Sequence, residues 1–222
     1  MPNKKDDNLD ILKLKPGTTL RSESSIYTIK EVLGSGGFGI TYRATMQGWK
    51  QGKLGRIPIR QDVALKELFA VEHCMRGTGA HSSDVVVVPG IDWEDYRKRF
   101  IKEAHRMSLL GAHPNIVKVL EVFEANNTAY IVMELVEGMS LHEYVKKHGP
   151  LAEEEAVGCI GQVALALRYT HDSKKIMHLD IKPGNILRRA TDGSIVVIDF
   201  GLAKEYNDDG KAMTASHSTG LT

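Results

Sequence analysis

One octapeptide, HLDIKPGN at residues 178–185, combines residue types that could do chemistry on a short rigid segment. Pro183 followed by glycine prevents a helix through its middle. Asp180 has the carboxylate needed to orient a hydroxyl group and accept its proton. Lys182 could neutralise a phosphoryl group during its transfer. The segment therefore has the composition of a catalytic loop.

A second acidic segment, DFG at residues 199–201, ends the apolar run SIVVI. Many DxG tripeptides are simple turns. Together with Asn185, however, Asp199 would offer oxygen ligands of the kind that Mg²⁺ takes from one or two side chains and from substrate phosphates.

A glycine-rich segment, GSGGFG, occupies residues 34–39 and consists of Gly34, Ser35, Gly36, Gly37, Phe38 and Gly39. A G-x-G-x-x-G pattern also occurs in dinucleotide-binding turns, but those require a helix directly after the glycines. The residues that follow, ITYRAT, alternate as in a strand. Two interpretations remain, a plain flexible hairpin or a hairpin whose backbone N–H groups cover phosphates.

Lys66 lies in the apolar strand-like run VALK, where an unpaired ammonium group would cost several kcal/mol. It therefore needs an anionic partner, and Glu103 on the following helix is the candidate. The pair could be a structural salt bridge. Alternatively, Glu103 could hold Lys66 where it reaches the phosphates of a nucleotide.

The elements that must position these residues follow from hydrophobic periodicity. The first part of the chain predicts strands at residues 27–34, 40–45, 62–69, 116–124 and 128–135, and one helix at residues 92–110 with an N-cap at Asp92. Two long surface connections are expected, at residues 46–60 and 72–84. The hydrophobic pattern predicts helices at residues 141–149 and 153–172, and a strand near residue 195. We expect a 1–24 extension, a strand-rich 25–136 lobe that ends in a hinge, and a helical 137–222 lobe.

The 222 residues are 42% hydrophobic and 26% charged, and their formal net charge is +1. This near neutrality gives no indication of a nucleic-acid partner. No apolar run is long enough for a signal peptide or a bilayer span. Cys74 and Cys159 form no CxxC pair and are expected to be reduced thiols. These observations predict a cytoplasmic protein without a membrane segment.

Five motifs, GSGGFG, VALK, Glu103, HLDIKPGN and DFG, stand in the order and approximate spacing of the eukaryotic-type protein kinases, and the chain resembles that family over residues 27–222. Bacterial members are the most similar. The resemblance implies an α+β, two-lobed fold with a complete strand-rich N-lobe. It also implies the two substrates of the reaction, ATP and a serine or threonine hydroxyl of a protein, and Mg²⁺ as cofactor.

The resemblance also implies residue roles. Lys66, paired with Glu103, would bind the α- and β-phosphates under the glycine-rich segment. The adenine would be bound by Thr41, Ala64, Met133, Glu134, Val136 and Leu187. Asp180 would be the catalytic base, with Asn185 and Asp199 as Mg²⁺ ligands. Lys182, two residues after the base, matches the serine/threonine pattern.

Three departures from the family pattern matter. Thr41 stands where a valine usually caps the adenine, and because its methyl group can still pack there, we expect a small effect. Leu179 replaces an arginine that normally pairs with a phosphate on the activation loop, and leucine cannot make that pair. The sequence also ends at Thr222 inside the expected activation loop, which predicts an incomplete helical C-lobe. We therefore expect ATP binding with weak or no turnover, and self-association through the exposed partial lobe. The alternative is a nucleotide-binding pseudokinase that acts as an interaction module.

Overall fold

The computed structural model describes residues 12–37, 39–52, 55–200 and 204–205. The chain divides into two compact units. We call Met1–Ala104 with Val119–Leu135 the strand unit, and His105–Lys118 with Val136–Thr222 the helix unit. Among the described helices, none is both long and apolar enough to cross a lipid bilayer.

A six-stranded antiparallel sheet forms most of the strand unit, in the order β1-β2-β3-β4-β8-β7. Its strands are β1 Thr19–Arg21, β2 Ser25–Gly36, β3 Gly39–Gly52, β4 Gly55–Leu68, β7 Val119–Ala125 and β8 Thr128–Glu134. The strands predicted from alternation are confirmed, and β1 is an addition. The fully buried side chains on the sheet include Tyr27, Tyr42, Leu65 and Tyr130.

The expected connection at residues 46–60 is not a loop. Strands β3 and β4 pair without interruption from Gly39 opposite Leu68 to Gly52 opposite Gly55. The prediction was wrong because glycines and basic residues, which are common in turns, also occur in paired strands. A strand tolerates glycines and basic residues where its backbone pairs with a neighbouring strand and its side chains face solvent. In this part of the hairpin the side chains of Trp49 and Ile57 are exposed.

The expected connection at residues 72–84 is also ordered. It contains β5, Cys74–Arg76, and a short 3₁₀ turn, Gly79–His81, and it leads directly into β6, Val85–Val87, which pairs antiparallel with β5. We call residues 70–92 the connector. The hydrophobic pattern could not reveal it, because strands of three residues are too short to show a period.

Helix α1, Trp93–Leu109, lies within the predicted range. The Asp92 carboxylate accepts a hydrogen bond from the Asp95 backbone N–H at 3.0 Å, which confirms the N-cap. Gly111, two residues after the end of the helix, adopts a φ of 65°, a backbone conformation that favours glycine. The helical spacing of Tyr96, Phe100, Ala104 and Met107 predicts that they share one apolar face. The last three are buried and Tyr96 is half-buried.

In the described residues 136–200 and 204–205, the helix unit consists of short strands, two α-helices and short helical turns. Its elements are β9 Gly138–Ser140, α2 Leu141–His148, α3 Glu153–Arg168, a π-helical turn Tyr169–Ser173, β10 Ile176–Met177, a 3₁₀ turn Pro183–Asn185, β11 Ile186–Arg189, β12 Ile195–Val197 and β13 Lys204–Glu205. Strands β12, β11 and β9 lie side by side in that order and form one antiparallel sheet.

Local capping explains where helix α2 begins. Ser140 and Glu143 form a reciprocal capping box: the Ser140 hydroxyl accepts from the Glu143 N–H, and the Glu143 carboxylate accepts from the Ser140 N–H. Helix α3 begins with three glutamates, which suits the positive end of the helix dipole. Its side chains Val157 and Ile160 are 66% and 60% exposed.

Candidate active site

In the strand unit, the structure brings Lys66 and Glu103 together as predicted. The Lys66 ammonium lies 3.4 Å from Oε1 of Glu103, and it also lies 5.9 Å from the centre of the Phe100 ring. The two charged side chains are 21% and 12% exposed. This partial burial strengthens their attraction relative to water while leaving a route to solvent.

Three of the predicted adenine-binding residues lie close to Lys66. Thr41 on β3 is directly opposite Lys66, and Met133 on β8 is directly opposite Ala64. Residues 64 and 66 point to the same face of β4 because strand side chains alternate. The structure therefore places Thr41, Ala64, Lys66 and Met133 on one face of three adjacent strands.

The glycine-rich segment forms the hairpin end of β2 and β3. Gly36 pairs with Gly39, and Gly37 lies in the turn, while Phe38 lies outside the described residues. A Cβ added at Gly34 or Gly36 would meet nothing within 4 Å. Packing within the strand unit therefore gives no reason for glycine at these two positions, whereas close approach of a ligand to the backbone would.

Gly39 has a different reason to be glycine. A Cβ there would lie 2.7 Å from the carbonyl oxygen of Glu67, closer than side chains pack. Its missing side chain therefore allows the start of β3 to approach the segment of β4 that carries Lys66.

In the helix unit, hydrogen bonds gather the polar residues of the octapeptide around Asp180. The Lys182 ammonium donates to Oδ2 of Asp180 at 2.8 Å. The Asn185 amide nitrogen donates to the same oxygen at 2.9 Å and to the Asp180 backbone oxygen at 2.8 Å. The bond to Asp180 raises the pKa of Lys182. Asp180, Lys182 and Asn185 thus form one connected cluster.

His178 is buried beneath this cluster, and its tautomer follows from its partners. The Asp180 N–H donates to Nδ1 at 3.2 Å, and Nε2 lies 3.0 Å from the Ile198 carbonyl oxygen. A carbonyl can only accept, so Nε2 carries the proton and the ring is neutral. Burial lowers the pKa of His178, in keeping with this assignment. The ring also packs on Phe200, with centroids 4.4 Å apart.

The structure brings the two predicted Mg²⁺ ligands to the same end of the β11–β12 hairpin. The Ile198 N–H donates to the Asn185 carbonyl at 2.9 Å, so Asp199 directly follows a residue bonded to Asn185. Asp199 has a φ of 62° and Leu179 a φ of 63°. Left-handed backbone in residues other than glycine is costly, and it concentrates at functional sites.

The other three residues predicted to bind adenine, Glu134, Val136 and Leu187, lie in different units. Glu134 ends β8 in the strand unit. Val136 and Leu187 belong to the helix unit, where Leu187 on β11 lies opposite Val196 and Ser140.

Sequence reasoning missed one polar network in the strand unit. Glu67 is fully buried and is bonded to Arg76, Tyr42 and Tyr130. A signal was present, because Glu67 falls on the inward face of β4 with Val63 and Leu65. An acid in that alternation requires a buried partner.

Comparison with known proteins agrees with this arrangement. The protein kinase domain family matches residues 73–220. Serine/threonine-protein kinase B of Synechocystis is 37% identical over 126 residues, which are 57% of this chain and 22% of that protein. Serine/threonine-protein kinase PrkC of Bacillus subtilis is 34% identical over 180 residues, 81% of this chain and 23% of that protein. The chain thus spans about a fifth of the length of these relatives.

The solved structure of the apo form of PpkA-294 superposes with a TM-score of 0.68 at 24% identity, and covers 86% of this chain and 62% of that one. This likeness confirms the α+β protein kinase fold that the motifs predicted. Since the family match extends over well more than half of the 222 residues, the chain belongs to the protein kinase domain family.

Proposed function

We propose that this protein transfers the γ-phosphoryl group of ATP to serine or threonine hydroxyls of a protein substrate. The observation that carries the proposal is the Asp180 cluster. An acid bonded to Lys182 and Asn185 stands on a loop that is held at Ile198 by one backbone hydrogen bond, from the Ile198 N–H to the Asn185 carbonyl, and by the contact of the His178 ring with the Ile198 carbonyl. Such an acid can orient a hydroxyl group, while the adjacent ammonium offsets negative charge on a phosphoryl group.

The strand unit would bind the nucleotide. Lys66, held by Glu103, would contact the phosphates. Unobstructed backbone at Gly34 and Gly36 would allow close approach of N–H groups to them. Thr41, Ala64 and Met133, on the face of Lys66, would pack on the adenine ring.

The donor set of the helix unit fits a magnesium ion. Asn185 uses its amide nitrogen for Asp180, so the amide oxygen is the atom through which it would bind a cation, with the Asp199 carboxylate as second ligand. These are hard oxygen donors, as Mg²⁺ requires. When bound, the ion would neutralise phosphate charge.

The proposed reaction is a single displacement. The substrate hydroxyl oxygen forms a bond to the γ-phosphorus, and the bond from that phosphorus to the bridging oxygen of ADP breaks. The hydroxyl proton passes to the Asp180 carboxylate. Lys182 lies within one hydrogen bond of that carboxylate and would hold the transferred group near it.

The test measures binding and transfer separately on the purified chain. Calorimetry with Mg·ATP tests binding, and labelled ATP with a serine/threonine peptide library tests transfer. Transfer to serine or threonine that requires Asp180 supports the proposal. ATP binding without any transfer would instead favour the pseudokinase alternative. The mass of the same sample in solution tests the expected self-association.

A further inference from the structure

Glu67 and Arg76 form a buried ion pair on the inner face of β4, opposite to the face that carries Lys66. Glu67 is 0% exposed and Arg76, on strand β5 of the connector, is 6% exposed at the side chain. Both terminal guanidinium nitrogens of Arg76 donate to the two oxygens of Glu67, one of them at 2.8 Å. The hydroxyls of Tyr42 and Tyr130 donate to the same carboxylate at 3.0 and 3.1 Å.

The protonation states in this network are fixed by its own charges. Burial, and next the charge of Glu67, raise the pKa values of Tyr42 and Tyr130, so both remain neutral donors. Burial acts to lower the pKa of Arg76, but the hydrogen bond and charge of Glu67 outweigh it and raise that pKa. The carboxylate of Glu67 thus has four donors at its two oxygens.

Buried ion pairs often add little net stability, and their best-supported use is to specify register. Here the ion pair and its two tyrosine partners join four strands. Tyr42 lies on β3, Glu67 on β4, Arg76 on β5 and Tyr130 on β8. A one-residue slip of β4 would move Glu67 to the opposite face and break every one of these bonds.

Register of β4 decides where Lys66 points. Consecutive strand residues face opposite sides, so anchoring Glu67 on the inner face directs Lys66 to the outer face, toward Glu103. Arg76 also donates to the backbone carbonyls of Leu12 and Ser83, at 2.7 and 3.2 Å. Its guanidinium is therefore held independently of Glu67.

The connector that carries Arg76 also holds the beginning of helix α1. The Val85 N–H donates to the Asn126 carbonyl, and the Asn127 amide donates to the Val85 carbonyl, both at 2.9 Å. The indole N–H of Trp93, the first residue of α1, donates to the Asn127 carbonyl at 2.7 Å. One segment thus contacts the strand of Lys66 and, through the β7–β8 turn, the helix of Glu103.

We propose that Arg76 is a positioning residue for ATP binding, which acts through Glu67 to hold Lys66 beside Glu103. The inference rests on the proposed function, because it assigns to Lys66 the nucleotide phosphates. Without Arg76, the buried carboxylate of Glu67 loses two of its four hydrogen-bond donors and the positive charge beside it, and a buried charge without its partner is costly. Movement of Glu67 toward water relieves that cost and loosens β4 at the residue next to Lys66.

The experiment compares the dissociation constant of Mg·ATP among variants of the full chain, at a temperature where each is fully folded by circular dichroism. Arg76→Met removes the guanidinium fork and is expected to raise the dissociation constant at least tenfold. Arg76→Lys keeps the charge but cannot hold both oxygens, and serves as the milder variant with an intermediate rise. Ile29→Ala is the matched control: it destabilises the same unit from β2 and carries no polar group of the network.

Coupling to Lys66 is the decisive readout, because a merely structural role would not produce it. In a Lys66→Ala background, Arg76→Met should change the dissociation constant less than twofold. A tenfold effect that persists there would overturn the inference, as would unchanged ATP affinity in both folded Arg76 variants.

Failure of the proposed function gives a different pattern. If Lys66→Ala alone leaves ATP affinity unchanged, the phosphate role of Lys66 and the inference both fall. If Lys66→Ala weakens binding while the Arg76 variants do not, only the inference falls.

Discussion

The two units position their charged residues in different ways. In the strand unit, Lys66 meets a partner 37 residues away, and its strand is anchored by a network reaching from β3 to the connector. In the helix unit, Asp180 is bonded to residues two and five positions away, within one octapeptide. The strand unit thus depends on long-range packing, whereas the octapeptide 178–185 is organised by hydrogen bonds among its own residues. The comparison predicts that changes in each unit have separable effects on binding and on chemistry.

The largest effect is expected from Asp180→Asn. The amide cannot accept the hydroxyl proton, so the rate of phosphoryl transfer should fall by about 10²–10⁴-fold. Affinity for Mg·ATP should stay nearly unchanged, because the phosphate contacts assigned to the strand unit remain. Steady-state transfer assays and calorimetry measure the two quantities. Asp172→Asn, at an exposed acid of the same unit, is the control and should change neither.

Lys66→Ala should produce the converse pattern in the strand unit. A charged hydrogen bond to phosphate is worth about 1.5–3 kcal/mol, so its loss should weaken Mg·ATP binding by about 10–100-fold. Calorimetry on the variant and on Lys30→Ala, a lysine that instead pairs with Asp62 on the same sheet, makes the comparison. Equal affinities of the two variants would contradict the assignment of Lys66.

Substitution of glycine by alanine should change the free energy of unfolding in opposite directions at two positions. Gly39→Ala would place a Cβ 2.7 Å from the Glu67 carbonyl oxygen and should destabilise the strand unit by about 1–3 kcal/mol. Gly158→Ala, in α3 with nothing within 4 Å of the new Cβ, should stabilise the helix unit by about 0.5–1 kcal/mol. Urea unfolding of each variant gives both values. A stabilised Gly39→Ala protein would show that β3 and β4 are not held at this separation.

The smallest effect should be that of pH on the free energy of unfolding, because it arises only in the interval between the folded pKa of His178 and pH 6.5. Burial lowers the pKa of His178, so below pH 6.5 the unfolded chain binds more protons than the folded one. The contribution of neutral His178 to the free energy of unfolding is therefore complete above pH 6.5, and it declines as the pH falls toward the pKa of His178 in the folded protein. Urea unfolding at pH 7.5 and 5.5 tests this for the helix unit. His178→Gln should flatten the dependence, leaving the share of His113, whose pKa burial also lowers.

Much of the fold and of the candidate site followed from short-range patterns. Alternation located the principal strands, and the Asp92 cap with the spacing of Phe100 and Met107 located α1. The cluster of Asp180, Lys182 and Asn185 was predictable because its members lie within one rigid loop. The ammonium group of Lys66 in an apolar strand required an anionic partner, and the family motifs supported Glu103 in that role.

Tertiary structure alone decided the remaining features. The β5–β6 strands and the full length of the β3–β4 hairpin are stable only because partner strands satisfy their backbone hydrogen bonds. The charges of Glu67 and Arg76 were visible in the sequence, but their pairing requires the connector to fold back on the sheet. The sequence by itself determined which groups could do chemistry. The packing of distant segments decided which face of β4 Lys66 occupies, because a strand side chain has two faces and only long-range contacts choose between them.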